Sequence, residues 1–186
     1  KEMKHLSTLL AATTALAAGI GLALGPAAAQ QKEEPQRGGI LKFVVPDEPP
    51  SFDGHRETTF AAVHPIAPFY SLLGRINPEN PSDADDIVCD LCTEMPKPEN
   101  DGKRFTFKIR EGVKFHDGTP LTAQDVVATF NKIINPPEGV SSARKAYYVM
   151  VDRVSAPDDH TVVFDLKYPS GAFLPALATW LPGSMY

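Results

Sequence analysis

Gly102-Lys103-Arg104-Phe105-Thr106-Phe107-Lys108-Ile109-Arg110-Glu111-Gly112-Val113-Lys114-Phe115-His116-Asp117-Gly118, followed by Pro120-Leu121-Thr122-Ala123-Gln124-Asp125-Val126-Val127, decides the reading of this chain. Phe105, Phe107 and Ile109 alternate with Thr106, Lys108 and Arg110, the period-two pattern of a strand with one buried face. Asn100-Asp101-Gly102 is a turn signal ahead of it. Glu111-Gly112 turns the chain, Val113-Lys114-Phe115 predicts a second short alternating stretch, and His116-Asp117-Gly118 turns it again. Thr122 then opens a helix, with Asp125 three positions on to reach back in the manner of a capping box. Val126, Val127, Phe130, Ile133 and Ile134 fall on one helical face, and Asn135-Pro136-Pro137 ends it.

On the C-terminal side, Tyr147 to Val154 and Thr161 to Lys167 read as strands, joined by Ala156-Pro157-Asp158-Asp159-His160 as a hairpin loop. Val162, Phe164 and Leu166 share one face of the second strand. Ser170 to Ala178 predicts a short helix with Pro175 near its first turn. On the N-terminal side, Ile40-Leu41-Lys42-Phe43-Val44-Val45 is short, apolar on both faces and suited to a buried strand, stopped by Pro46. Pro49-Pro50-Ser51-Phe52-Asp53-Gly54 reads as a turn-rich loop. Thr58 to Leu73 places Phe60, Val63, Ala67, Tyr70 and Leu73 at helical spacing, but Pro65 and Pro68 predict a kinked or broken helix.

Residues 9–24 carry no charge and are rich in Ala and Leu. Lys4 and His5 precede them, and Ala27-Ala28-Ala29 offers small residues to a signal peptidase. These features predict a secretory signal over residues 1–29, cleaved after Ala29, and not a membrane anchor, which needs roughly 20 apolar residues. No Cys lies near the cleavage point, so no lipid anchor is expected. The chain of 186 residues has 18 basic and 23 acidic side chains. Removing Lys1, Lys4 and Glu2 with the signal leaves 16 and 22, a net charge of −6, which argues against nucleic acid and anionic membrane surfaces as partners. Residues 30–37 are polar and read as a disordered leader.

Cys89-Asp90-Leu91-Cys92 leaves three readings open: a structural disulfide, expected in an oxidising compartment; free thiols; or metal or redox work. Zinc would need two further ligands and no second Cys pair exists. No nucleophile elbow, phosphate-cradling Gly loop or metal-binding helix motif is present, so no catalytic residue, resident metal or cofactor is expected.

The opening stretch closely resembles the diagnostic signature of the bacterial extracellular solute-binding proteins of family 5, the dipeptide, oligopeptide and nickel group. Gly38-Gly39-Ile40-Leu41 is similar to that family's first mature strand, and Pro50-Ser51-Phe52-Asp53 to its following loop. Ala156-Pro157-Asp158-Asp159-His160-Thr161-Val162-Val163-Phe164 resembles its hairpin, and Ala172-Phe173-Leu174 its next helix. The family usually has Pro and Ala where this chain has Cys89 and Cys92, and Trp where it has Met95.

The resemblance implies an α/β fold, a mixed α+β subdomain belonging to a two-lobed periplasmic-binding architecture roughly two to three times this length. Residues 38–58 would supply the first strand and loop of lobe I, and residues 59–186 the α/β subdomain inserted into it; the second lobe is not in the chain. The implied function is that of an ABC transporter's substrate-binding component, a monomer capturing peptides in the periplasm and handing them to an inner-membrane permease with its ATPase subunits. Nickel, haem or an oligosaccharide is the alternative ligand, and an exported Cys-x-x-Cys redox or metal protein the alternative class. The resemblance makes Phe52, His55, Thr58 and Phe60 candidates to face ligand, and Trp180 either a stacking surface near the cleft or a core residue.

Overall fold

The computed structural model describes residues 37–40, 42–45 and 47–179. The predicted signal at 1–29, residues 30–36 of the leader, Leu41, Pro46 and Trp180 lie outside the described residues. Two units divide the chain after Lys42. The described residues of the first, 37–40 and 42, contain no helix or strand.

The second unit is built on the predicted strand. β3, Arg104–Lys108, buries Phe105 and Phe107 and turns Thr106 and Lys108 away from the core. Its entry turn holds Asn100 and Asp101 at φ of 49° and 54°, with Gly102 at 77°. Three successive left-handed residues need the short polar side chains and the glycine that the sequence supplies there. β3 pairs antiparallel with β5, Thr161–Leu166, and β5 pairs antiparallel with β4, Val151–Asp158, giving the order β3-β5-β4. Asp165 in the central strand accepts from Arg104 Nε at 2.8 Å on one side and from Arg153 Nη2 at 2.9 Å on the other. This face of the sheet is polar, while Val162, Phe164 and Leu166 point into the core, as an antiparallel sheet covered on one side requires.

α2, Ala123–Ile134, and α3, Phe173–Ala178, cover the inner face. The Asp125 carboxylate accepts from the Thr122 backbone N–H at 2.7 Å and from its hydroxyl at 2.9 Å, which fixes the start of α2 where the sequence predicts it. Val126, Phe130 and Ile133 are buried and Val127 and Ile134 half-buried. Phe130 meets Phe164 edge-on at 4.7 Å and Tyr148 at 5.2 Å, and Phe173 packs on both Phe105 and Phe164. Each such ring fully buried contributes roughly 1.5–3 kcal/mol. A second, two-stranded sheet pairs β1, Gly74–Ile76, with β2, Ile87–Cys89, and α3 packs against both strands. Upstream, α1 runs only over Phe60–Ile66 and passes into a 3-10 turn at Ala67–Phe69. Pro65 is carried inside the last turn of α1 and Pro68 in the 3-10 turn that follows; Pro68 lacks the N–H that would extend the α ladder, so the run is broken as the sequence predicts. No described helix is long and apolar enough to cross a membrane.

Four expectations need correction. The described residues of the 40–45 run form no strand: Ile40 is 88% and Val44 96% exposed. Apolar composition makes a strand only where a neighbour receives its N–H and C=O groups, and no described strand does so. Residues 113–115 make a single bridge, Lys114 to Pro120, and no ladder. Tyr147 and Tyr148 belong to a 3-10 turn, Lys145–Tyr148, so the first hairpin strand starts at Val151. That strand then runs through Ala156 and Pro157 to Asp158, leaving only Asp159 and His160 as the loop. It tolerates the proline because β4 is an edge strand and its register shifts between Ser155 and Asp158.

Candidate functional site

Three of the candidate residues sit on one turn. Asp53 organises it: its carbonyl accepts from the N–H groups of Arg56 at 3.1 Å and Glu57 at 2.9 Å. Its Oδ1 accepts from the His55 N–H at 3.0 Å. The Ser51 hydroxyl accepts from the Asp53 N–H at 3.3 Å and donates to Glu57 Oε1 at 3.1 Å. Asp and Ser side chains at these spacings mimic backbone turns, which is why the sequence folds locally here.

The carbonyls of Gly54 and Glu57 point inward, where Arg144 meets them. Its Nε donates to Gly54 O at 3.0 Å, and its Nη2 donates to Gly54 O at 2.6 Å and to Glu57 O at 3.4 Å. Arg144 is 0% exposed, and burial pulls its guanidinium below its ordinary value. The adjoining segment is itself anchored: the Ser142 hydroxyl donates to Ile133 O at 2.8 Å, and the Tyr148 hydroxyl donates to Ala176 O at 3.0 Å.

Of the three candidates on the turn, Phe52 is 68% exposed, Thr58 is exposed and His55 is half-buried. Phe60 begins α1, 57% exposed, with its ring 5.0 Å from that of His64. Beside the turn lies a cavity of about 310 Å³ lined by Asp53, His55, Arg56, Lys132, Val140 and Ser141 among others. Burial pushes the Asp53 carboxyl up, but the His55 N–H and the Lys132 charge outweigh it and hold the group below the usual carboxylate range. Sequence reasoning found the turn and missed Arg144, Asp53 and Lys132; an arginine amid Ser-Ser-Ala and Lys-Ala gives no periodic signal of burial.

Cys89 and Cys92 are joined by a disulfide with their Cα atoms 5.0 Å apart. The segment is bonded on both flanks, Leu91 N to Leu72 O at 2.9 Å and Thr93 N to Lys108 O at 2.8 Å, so it ties the two-stranded sheet to the end of β3. His116 and Asp117 form a turn in which Asp117 Oδ1 accepts from the Thr119 N–H and hydroxyl. Among the described residues no group of three His, Cys, Asp or Glu side chains comes together to hold a metal ion.

Comparison with known proteins places this geometry. The profile of the bacterial extracellular solute-binding proteins, family 5 (middle region), matches residues 86–185. The probable D,D-dipeptide-binding periplasmic protein DdpA of Escherichia coli (strain K12) is 32% identical over 111 residues, 60% of this chain and 20% of its own length. The structure of the oligopeptide-binding protein AppA from Bacillus subtilis with a nonapeptide superposes with a TM-score of 0.63 at 29% identity, over 74% of this chain and 25% of that one. MoaA from A.tumefacien R10 in complex with mannopinic acid superposes at 0.65 and 28%, over 72% and 26%. The chain thus spans about a quarter of the length of these relatives or less. With its signature stretch folded as β3 and capped α2 inside the matched region, the chain belongs to the bacterial extracellular solute-binding proteins of family 5.

Proposed function

We propose that this chain forms the loop and inserted subdomain of lobe I in an exported solute-binding protein that captures peptides and delivers them to an ABC permease driven by separate ATPase subunits. Residues 1–29 act as the cleaved signal, the site of action is the periplasm, and the protein works by binding, without catalysis. The family match over residues 86–185 carries this reading. The turn at residues 51–58 supports it: the inward carbonyls are received by Arg144, which leaves Phe52, Thr58 and Phe60 exposed to meet a ligand. Lobes that close around such a ligand by hinge motion can pair backbone groups with peptide main chain. The complex of MoaA with mannopinic acid supports a second reading, capture of a small acid other than a peptide.

Thermal unfolding of the protein that carries this chain, produced from its own gene, tests both readings against a panel of di-, tri- and nonapeptides, mannopinic acid, nickel and haem. A ligand at a hundred times its Kd stabilises by about 2.7 kcal/mol, a readily measured rise in Tm. A rise with peptides is expected. A rise with mannopinic acid alone selects the second reading, and no rise with either removes both.

A further inference from the structure

Arg144 is a charged side chain wholly withdrawn from water, a placement that costs several kcal/mol unless its donors are matched. Its fork is matched by carbonyls of the candidate ligand turn, 90 positions away in sequence. An apolar side chain would fill the same space at lower cost if packing were all that the position required. The planar fork lets Nε and Nη2 grip the Gly54 carbonyl together while Nη2 also reaches Glu57 O. The hydrogen bonds of Ser51 and Asp53 are made within the turn and shape it without tying it to the helices. The segment bearing Arg144, by contrast, is fixed to α2 through Ser142 and Ile133 and to α3 through Tyr148 and Ala176.

We propose that Arg144 is a positioning residue for ligand capture: it registers residues 53–57 against the helices of the subdomain, so that Phe52, His55 and Thr58 are in place before ligand arrives. The inference rests on the peptide-capture reading for its ligand and on the hydrogen bonds alone for the clasp. Ordering a loop in advance removes that ordering cost from the binding step. Loss of Arg144 therefore weakens binding without loosening the core.

The test uses the protein that carries this chain, with R144K and R144M, and two readouts: hydrogen exchange resolved along the chain, and calorimetric affinity for trialanine. For R144M the expected result is faster exchange at His55, Arg56 and Glu57 with unchanged protection in β3, β5 and α2, and affinity at least ten-fold lower. R144K keeps the charge but lacks the second nitrogen that joins Nη2 on the Gly54 carbonyl, so it should fall between wild type and R144M in both readouts, a graded rescue that a mere packing role would not give. Unchanged exchange in the turn overturns the proposal, as does loosening of the whole core in both variants, or unchanged affinity beside a loosened turn. If wild type does not bind trialanine but R144M still frees the turn, the peptide reading has failed and the clasp stands without its role in capture.

Discussion

Reducing the Cys89–Cys92 disulfide should destabilise the second unit by an amount that follows from its position. The two cysteines are three positions apart, so the bond closes a loop of about four residues, and the chain-entropy relation gives about 2 kcal/mol at 25 °C. For a unit of about 140 residues the unfolding entropy near Tm is about 0.3 kcal/mol per degree, so Tm should fall by about 7 °C. Reduction is a cleaner perturbation than substitution, because Cys92 is fully buried and truncating it would add a packing loss. The assay is urea unfolding followed by circular dichroism, with and without a phosphine reductant, beside a thiol titration of the denatured, unreduced protein. The midpoint should drop on reduction, and the titration should find no free thiol. Superimposable unfolding curves, or two thiols titrated without reductant, would refute the reasoning.

Three further outcomes are expected. D125A removes the carboxylate that caps α2 through Thr122 and should cost about 1 kcal/mol in unfolding free energy, seen as a lower urea midpoint with an unchanged slope. F130A empties the space between Phe164 and Tyr148 and should cost about 3–5 kcal/mol, a large share of the roughly 5–15 kcal/mol that holds an ordinary domain folded; F130L should lose less. Burial pushes the Asp165 carboxyl up, but the hydrogen bonds from Arg104 and Arg153 outweigh it and hold the group below its ordinary value. Its contribution is therefore fully present above about pH 4, the unfolded value, and is lost as pH falls through the depressed folded value. An acid titration of Tm should accordingly be shallower for D165N than for wild type below that pH.

The elements legible in the sequence are those whose cause is local. Alternation at Phe105, Phe107 and Ile109 and the spacing of Thr122 and Asp125 state a strand and a capped helix within a dozen residues, and both form where expected. The 40–45 run carries the composition of a buried strand, yet pairing is a non-local property that six residues cannot announce. β4 hides behind Pro157, because only its place at the sheet edge, and the bulge there, make a proline tolerable. The candidate site divides the same way. Ser51, Asp53 and Gly54 announce a turn, whereas Arg144 becomes meaningful only when the fold brings it to carbonyls far along the chain. Nothing near Arg144 marks it out from an ordinary surface arginine.

If the turn held by Arg144 faces a captured peptide, a reactive peptide should mark it. Photocrosslinking tests it most directly: a tripeptide library carrying a benzophenone side chain, irradiated with the protein that contains this chain and mapped by mass spectrometry. Adducts are expected within residues 52–60, suppressed by excess unlabelled peptide. Saturable adducts that map only elsewhere, with residues 52–60 unlabelled, would contradict it.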